Sequence, residues 1–223
     1  VKVENVAYDA AGKKLELTLS QKCGPSPGQP TKDPYHIPVR VGLLGKTSGK
    51  DLVPERVLEM REASQTFTFD GVSEEPVLSV LRGFSAPVKL DMERSDEELA
   101  FLMANDSDDF NRWEAGQTLF TRAILSYVAQ AQKGEQLAPL SDLMVDAVRA
   151  ILKDETADRS LRAYALALPS LGTLAESMDV IDPDALVAAV KHVKSGLAAA
   201  LRSEMEAVYT ASHDSSPSTG VGP

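Results

Sequence analysis

Between Gly83 and Gln117 the hydrophobic period of this chain changes from two to about three and a half, and one layer cannot satisfy both periods. Phe84, Val88 and Leu90 are separated by polar or small residues, as in a strand. From Ser95 onward Leu99, Leu102 and Met103 fall at helical spacing. A β region therefore ends, and a helical region begins, within a few residues. The fold class this predicts has two domains: an all-β immunoglobulin-like sandwich, then an all-α helical array of antiparallel, solenoid-like helix pairs. The expected boundaries are 1–94 for the sandwich, 95–212 for the array, and 213–223 for a flexible tail rich in Ser, Pro and Gly.

Seven strands are expected, at Lys2–Tyr8, Lys14–Gln21, Ile37–Leu44, Arg56–Met60, Gln65–Phe69, Ser79–Phe84 and Val88–Glu93. Alternation is clearest in Leu15/Leu17/Leu19, Val39/Val41/Leu43 and Phe67/Phe69. The Cys…Trp…Cys spacing of a true immunoglobulin domain is missing, so only the architecture is implied. Ser95-Asp96-Glu97-Glu98 matches a capping box and opens a helix to about Ala104. Later helices are expected at Phe110–Gln132, Ser141–Leu152, Arg159–Leu168, Leu171–Met178 and Ala185–Tyr209. The last should be capped by Asp182, with Pro183 at its first position.

Charge divides in the same place. Residues 1–94 carry 13 Lys+Arg and 13 Asp+Glu, so the net −10 of the chain belongs wholly to residues 95–223. An acidic chain without a basic stripe excludes nucleic acid and anionic membrane as partners. No apolar run approaches the roughly 18 residues a membrane helix needs. At 223 residues the chain can bury a core without a disulfide or metal staple. The single Cys23 permits no internal disulfide and no multi-cysteine zinc site, and a free thiol fits an intracellular compartment, cytoplasmic or organellar. A chain that opens on Val1 inside a strand pattern is expected to belong to a longer polypeptide.

Several short motifs suggest chemistry and fail on spacing. Gly45-Lys46-Thr47 ends like a phosphate loop, but Arg40 stands where its first Gly should be and no helix follows, so a turn is expected. Asp106, Asp108 and Asp109 could open a calcium loop, but the sixth and twelfth positions hold Asn111 and Gln117. They read instead as solvated caps of the second helix. Trp113 lies on that helix's apolar face with Phe110, Phe120 and Ile124, and reads as core, with a binding anchor as the other reading. The sequon Asn105-Asp106-Ser107 sits at a predicted helix end and reads as chance. His36, His192 and His213 are dispersed, no His-Glu-x-x-His occurs, and His213-Asp214-Ser215 are consecutive in the tail, where no scaffold could arrange a triad. No catalytic, metal or substrate-binding residue is therefore assigned.

Gly83-Phe84-Ser85-Ala86-Pro87-Val88 followed by Phe110-Asn111-Arg112-Trp113-Glu114-Ala115-Gly116-Gln117 resembles the zinc aminopeptidase N family, in its bacterial and plant-type alanyl branch. His36-Ile37-Pro38, Gln65-Thr66-Phe67-Thr68-Phe69 and Ile181-Asp182-Pro183 extend the resemblance over about 1–210 in one register. It implies the small sandwich and the beginning of the helical domain of a zinc metallo-aminopeptidase, a hydrolase that removes N-terminal amino acids from peptides. The family's zinc ligands, general base and substrate-amine motif belong to a catalytic domain and find no match here. Zinc is then a cofactor of the longer protein and not of this chain, which should be inactive alone. The implied partners are the catalytic domain of the same polypeptide and, in the longer protein, peptide substrates. Because array units rely on neighbours for burial, the last helix should be partly uncovered, and self-association or reduced stability is expected. The alternative from another class is a stand-alone adaptor, sandwich plus helical repeats, that binds a protein partner. A third, an enzyme using carboxylate pairs of this chain alone, requires zinc binding or turnover by the chain itself.

Overall fold

The computed structural model describes residues 1–213, so Asp214, Ser215 and the rest of the predicted tail lie outside the described residues. Two compact units divide the chain: Val1–Phe120 with Tyr164–Ala167, and Thr121–Ala163 with Leu168 onward.

The first unit holds strands β1 (Lys2–Asp9), β2 (Lys14–Ser20), β3 (Ile37–Gly45), β4 (Arg56–Met60), β5 (Ser64–Asp70) and β6 (Pro76–Val80). They form two three-stranded antiparallel sheets, ordered β1-β2-β5 and β4-β3-β6. Period two places Leu15, Leu17 and Leu19 of one sheet and Val39, Val41 and Leu43 of the other wholly inside. They share one core with Leu58, Met60, Phe69, Leu78 and Val80. Each such side chain contributes roughly 1.5–3 kcal/mol by leaving water. The sandwich architecture is as expected, with six strands rather than seven.

Two expected strands are corrected. Ser79–Phe84 is replaced by β6, which ends at Val80, and a single 3-10 turn over Arg82–Phe84. Leu81, Gly83 and Phe84 take left-handed φ of 62°, 60° and 50°, which no strand can continue. Val88–Glu93 forms no strand, and only the bridge between Lys2 and Asp91 is made there. Val88, Leu90 and Met92 do pack partly buried against the sandwich core, but bridge pairing is confined to Asp91, whose N donates to Val1 O and whose O accepts from Val3 N, and Pro87 has no amide to extend it.

Helix α1 (Asp96–Asn105) starts on the predicted capping box: Ser95 Oγ accepts from Glu98 N at 3.2 Å, and Glu98 Oε2 accepts from Ser95 N at 3.1 Å. Helix α2 (Asp109–Gln132) begins in the first unit and ends in the second. The second unit also contains α3 (Asp142–Lys153), α5 (Leu171–Ala175), α6 (Pro183–Ala200) and α7 (Arg202–Ser212), while α4 (Arg159–Ala165) ends in the first. Buried residues of the second unit include Ile124, Val128, Met144, Val148, Ile151, Leu186, Ala189, Val193 and Leu197. Asp182 caps α6, its Oδ1 accepting from Ala185 N at 3.0 Å. The single helix expected over Ala185–Tyr209 is instead two, interrupted at Leu201, whose φ is −120°. No residue of α7 is buried, and Tyr209 is 68% exposed. Among the described residues, no helix is long and apolar enough to cross a membrane.

Arg149 of α3 holds α7, donating from Nε to Glu204 Oε1 at 2.9 Å. The Ser203 hydroxyl and Arg149 together hold the Glu204 carboxyl at about 2, against an ordinary 4.5. A lowered folded value means stability that is fully present above pH 4.5 and lost as pH falls toward 2. Glu204→Gln should therefore lower the melting temperature at pH 7, with the deficit disappearing by pH 2. Thermal scans across that range check this; a pH-independent deficit would deny the linkage.

Candidate functional site: the strand-to-helix junction of the first unit

The two stretches that carry the family resemblance meet in the first unit, around a buried arginine. Arg82 is 2% exposed, yet its guanidinium lies at the end of β6, where the core gives way to loops. Its Nε donates to Ser79 Oγ at 2.9 Å, and its Nη2 donates to Asp51 Oδ1 at 2.8 Å and Asp106 Oδ1 at 2.9 Å. Glu55 adds a longer ion pair at 3.7 Å. Asn111, also buried, donates from Nδ2 to Ser79 Oγ at 2.8 Å and to Val80 O at 3.0 Å. One polar cluster thus ties β6, the segment after β3, the α1–α2 connection and the first turn of α2.

Local sequence explains how the cluster is reached. Asp108 caps α2, accepting from Asn111 N at 2.9 Å, and this aims Asn111 at the sandwich. Asp106 accepts from Asp108 N at 3.0 Å in a tight turn. The backbone of β3 approaches the guanidinium so closely that a Cβ on Gly42 would lie 2.0 Å from Arg82 Cζ. Burial pushes the Asp106 carboxyl above its usual range, and the Arg82 charge and neighbouring hydrogen bonds offset only part of that.

Two expectations change here. Asp106 is not a solvated cap: it is 1% exposed and neutralised by Arg82, whereas Asp108 is the cap expected. Trp113 is not core: half-buried, it stacks on Tyr164 with ring centroids 5.4 Å apart and contacts Phe110 at 5.9 Å. Phe110 in turn meets Phe84 at 5.6 Å, so four aromatic rings form a row. Both changes depend on partners far along the chain, which local periodicity does not see.

The other weighed residues are placed apart from this cluster. Cys23 is exposed, with Lys32 Nζ at 3.4 Å and Tyr35 Oη at 4.0 Å. It lines a cleft of about 990 Å³ with His36, Ile37 and Val88. Gly45-Lys46-Thr47 is a turn whose amides at Thr47 and Ser48 donate to Glu74 Oε2 at 3.0 and 3.3 Å, so a carboxylate already occupies what would be the anion cradle. Asn105 donates to Phe101 O at 2.9 Å at the end of α1. His192 Nε2 contacts Ala138 O at 2.8 Å, and His213 stacks on Tyr209 at 5.4 Å. Among the described residues no group of three or more His, Cys, Asp or Glu could hold a metal ion. What the junction shows is a buried polar cluster that ties the sandwich to the first turn of α2.

Comparison with known proteins divides the chain at the same junction, between residues 93 and 96. Residues 1–93 match the model described as "Domain of unknown function (DUF3458) Ig-like fold", and residues 96–220 match "Domain of unknown function (DUF3458_C) ARM repeats". The chain is 39% identical over 215 residues to Aminopeptidase N of Escherichia coli, covering 93% of this chain and 24% of that protein. It is 42% identical over 194 residues to Aminopeptidase N of Caulobacter vibrioides, covering 86% of this chain and 22% of the relative. The crystal structure of Legionella pneumophila aminopeptidase A in complex with aspartic acid superposes with a TM-score of 0.75 at 25% identity, over 99% of this chain and 24% of that one. The chain thus spans about a quarter of the length of the relatives it matches. With a match to the Ig-like model ahead of it, and with about a quarter of proteins named Aminopeptidase N similar to it, this chain belongs to the DUF3458_C family of ARM repeats.

Proposed function

We propose that the chain is the non-catalytic portion of a longer zinc metallo-aminopeptidase that removes N-terminal amino acids from peptides. The observation that carries this reading is 39% identity over 215 residues to an aminopeptidase N of which the chain spans 24%. The sandwich, 1–94, serves as a spacer, and the helical array, 95–212, as a lid over the catalytic cleft. The Arg82 cluster supports the spacer role, since it fixes the first turns of α2 to the sandwich through charge-assisted bonds. Zinc and the groups that activate water belong to the catalytic portion of the same polypeptide, the partner of this chain. An exposed free Cys23 supports a reducing, intracellular compartment. The uncovered α7 supports weak self-association of the separated chain.

The lid role has a specific consequence. Deleting the array from the longer enzyme should leave kcat/KM for a single aminoacyl-anilide within about threefold, a barrier change of less than 1 kcal/mol. The same deletion should raise cleavage of the N-terminus of a folded protein at least tenfold. If both substrates respond equally, the array is not a lid.

A further inference from the structure

We infer that the row Phe84–Phe110–Trp113–Tyr164 is a docking face for the remainder of the longer polypeptide. This rests on the reading of the chain as a portion of a larger aminopeptidase. All four rings belong to the first compact unit, with neighbouring centroids 5.6, 5.9 and 5.4 Å apart. Phe84 and Tyr164 are 56% and 58% exposed. Two rings more than half exposed, continued by the partly buried Phe110 and Trp113, present on the order of 300 Å² of apolar surface, the scale at which a patch on a monomer is functional.

Backbone strain at Phe84 points the same way. A left-handed φ of 50° is unfavourable for a non-glycine residue, and an exposed ring does not recover that cost by burial within the chain. The turn is held from beneath by buried Leu81 and Arg82, which leaves Phe84 fixed and pointing outward. A side chain at Gly83 would meet Arg40 Nη1 at 3.4 Å and Asp108 Oδ2 at 4.0 Å, so the strained turn has a charged border. An apolar centre with a charged rim is the usual anatomy of a protein–protein contact.

Two observations choose the occupant. About three quarters of the polypeptide in the Escherichia coli relative lies outside the matched region and is available to cover the row. A second copy is the less favoured occupant of the row, because each copy carries a net charge of −10 and repulsion at low salt leaves room only for the weak association proposed through α7.

Trp113 is the only tryptophan, so 5-fluorotryptophan labelling gives this chain one fluorine resonance, located in the row itself. The probe is the rest of the same protein, produced unlabelled as a separate polypeptide and added at low salt. The expected result is a shifted Trp113 resonance that loses its solvent isotope effect. Phe84→Asn, which tolerates left-handed φ, and Tyr164→Ser should each weaken binding at least tenfold, while the melting temperature of the isolated chain stays within about 2 °C. Binding detected by sedimentation with an unmoved resonance and unaffected variants overturns the docking face and leaves the proposed function standing. Failure of the wild-type chain to bind the remainder overturns both. A resonance that shifts with the concentration of this chain alone assigns the row to a second copy and overturns the occupant.

Discussion

Arg82→Met lowers the stability of the chain by about 3–5 kcal/mol, the usual cost of stranding a buried charge. The stranded group is Asp106, 1% exposed, whose Oδ1 accepts from Arg82 Nη2. Methionine fills much of the space but returns none of the bonds to Ser79, Asp51 and Asp106. The deficit should depend on pH in a definite sense. Burial already holds the Asp106 carboxyl above its ordinary value, and without the guanidinium it rises further. A folded-state value above the unfolded one means the folded chain binds the proton more readily, so this group costs stability as pH rises through that window. Urea denaturation should then show a smaller deficit for the variant at pH 5 than at pH 8. An equal deficit at both pH values would mean that lost packing, and not stranded charge, accounts for the loss.

Gly42→Ala should cost nearly as much although it removes no bond directly. The new methyl would stand 2.0 Å from Arg82 Cζ and 2.4 Å from Nε, so the guanidinium must leave and Asp106 is again stranded. We expect a loss of about 3 kcal/mol, well beyond what alanine costs in an ordinary strand. Because both variants act on one group, their effects should not add. Gly42→Ala in the Arg82→Met background should cost less than about 1 kcal/mol more. Full additivity, measured by the same denaturation curves, would show that the glycine is needed for another reason.

How far the sequence alone reaches is clear from particular elements. Leu15, Leu17 and Leu19 alternate with polar residues, and their strand lies within a residue of its expected span. Pro76–Val80 carries no such alternation, because Val77, Leu78, Ser79 and Val80 are all buried, so period two could not locate its ends. The interruption at Leu201 has neither Gly nor Pro to mark it. Ser95 and Asp182 were legible as caps because a cap is a local bond. Asp106 was not, because its partner Arg82 lies 24 residues earlier, a separation no window of helical periodicity covers. Trp113 fits an apolar stripe on α2, and only the ring of Tyr164, brought in from α4, shows that the stripe reaches the surface. The junction motifs were conspicuous as a family signature, while their physical use, one arginine shared among separated segments, required the fold.

The central claim is that these residues brace and cover a catalytic centre they do not contain. Calorimetric titration of the purified chain with zinc, with the same samples assayed on an alanyl-anilide, tests it most directly. We predict no stoichiometric binding at micromolar zinc and no turnover above the uncatalysed rate. One equivalent of tightly bound zinc accompanied by release of the aniline would contradict it.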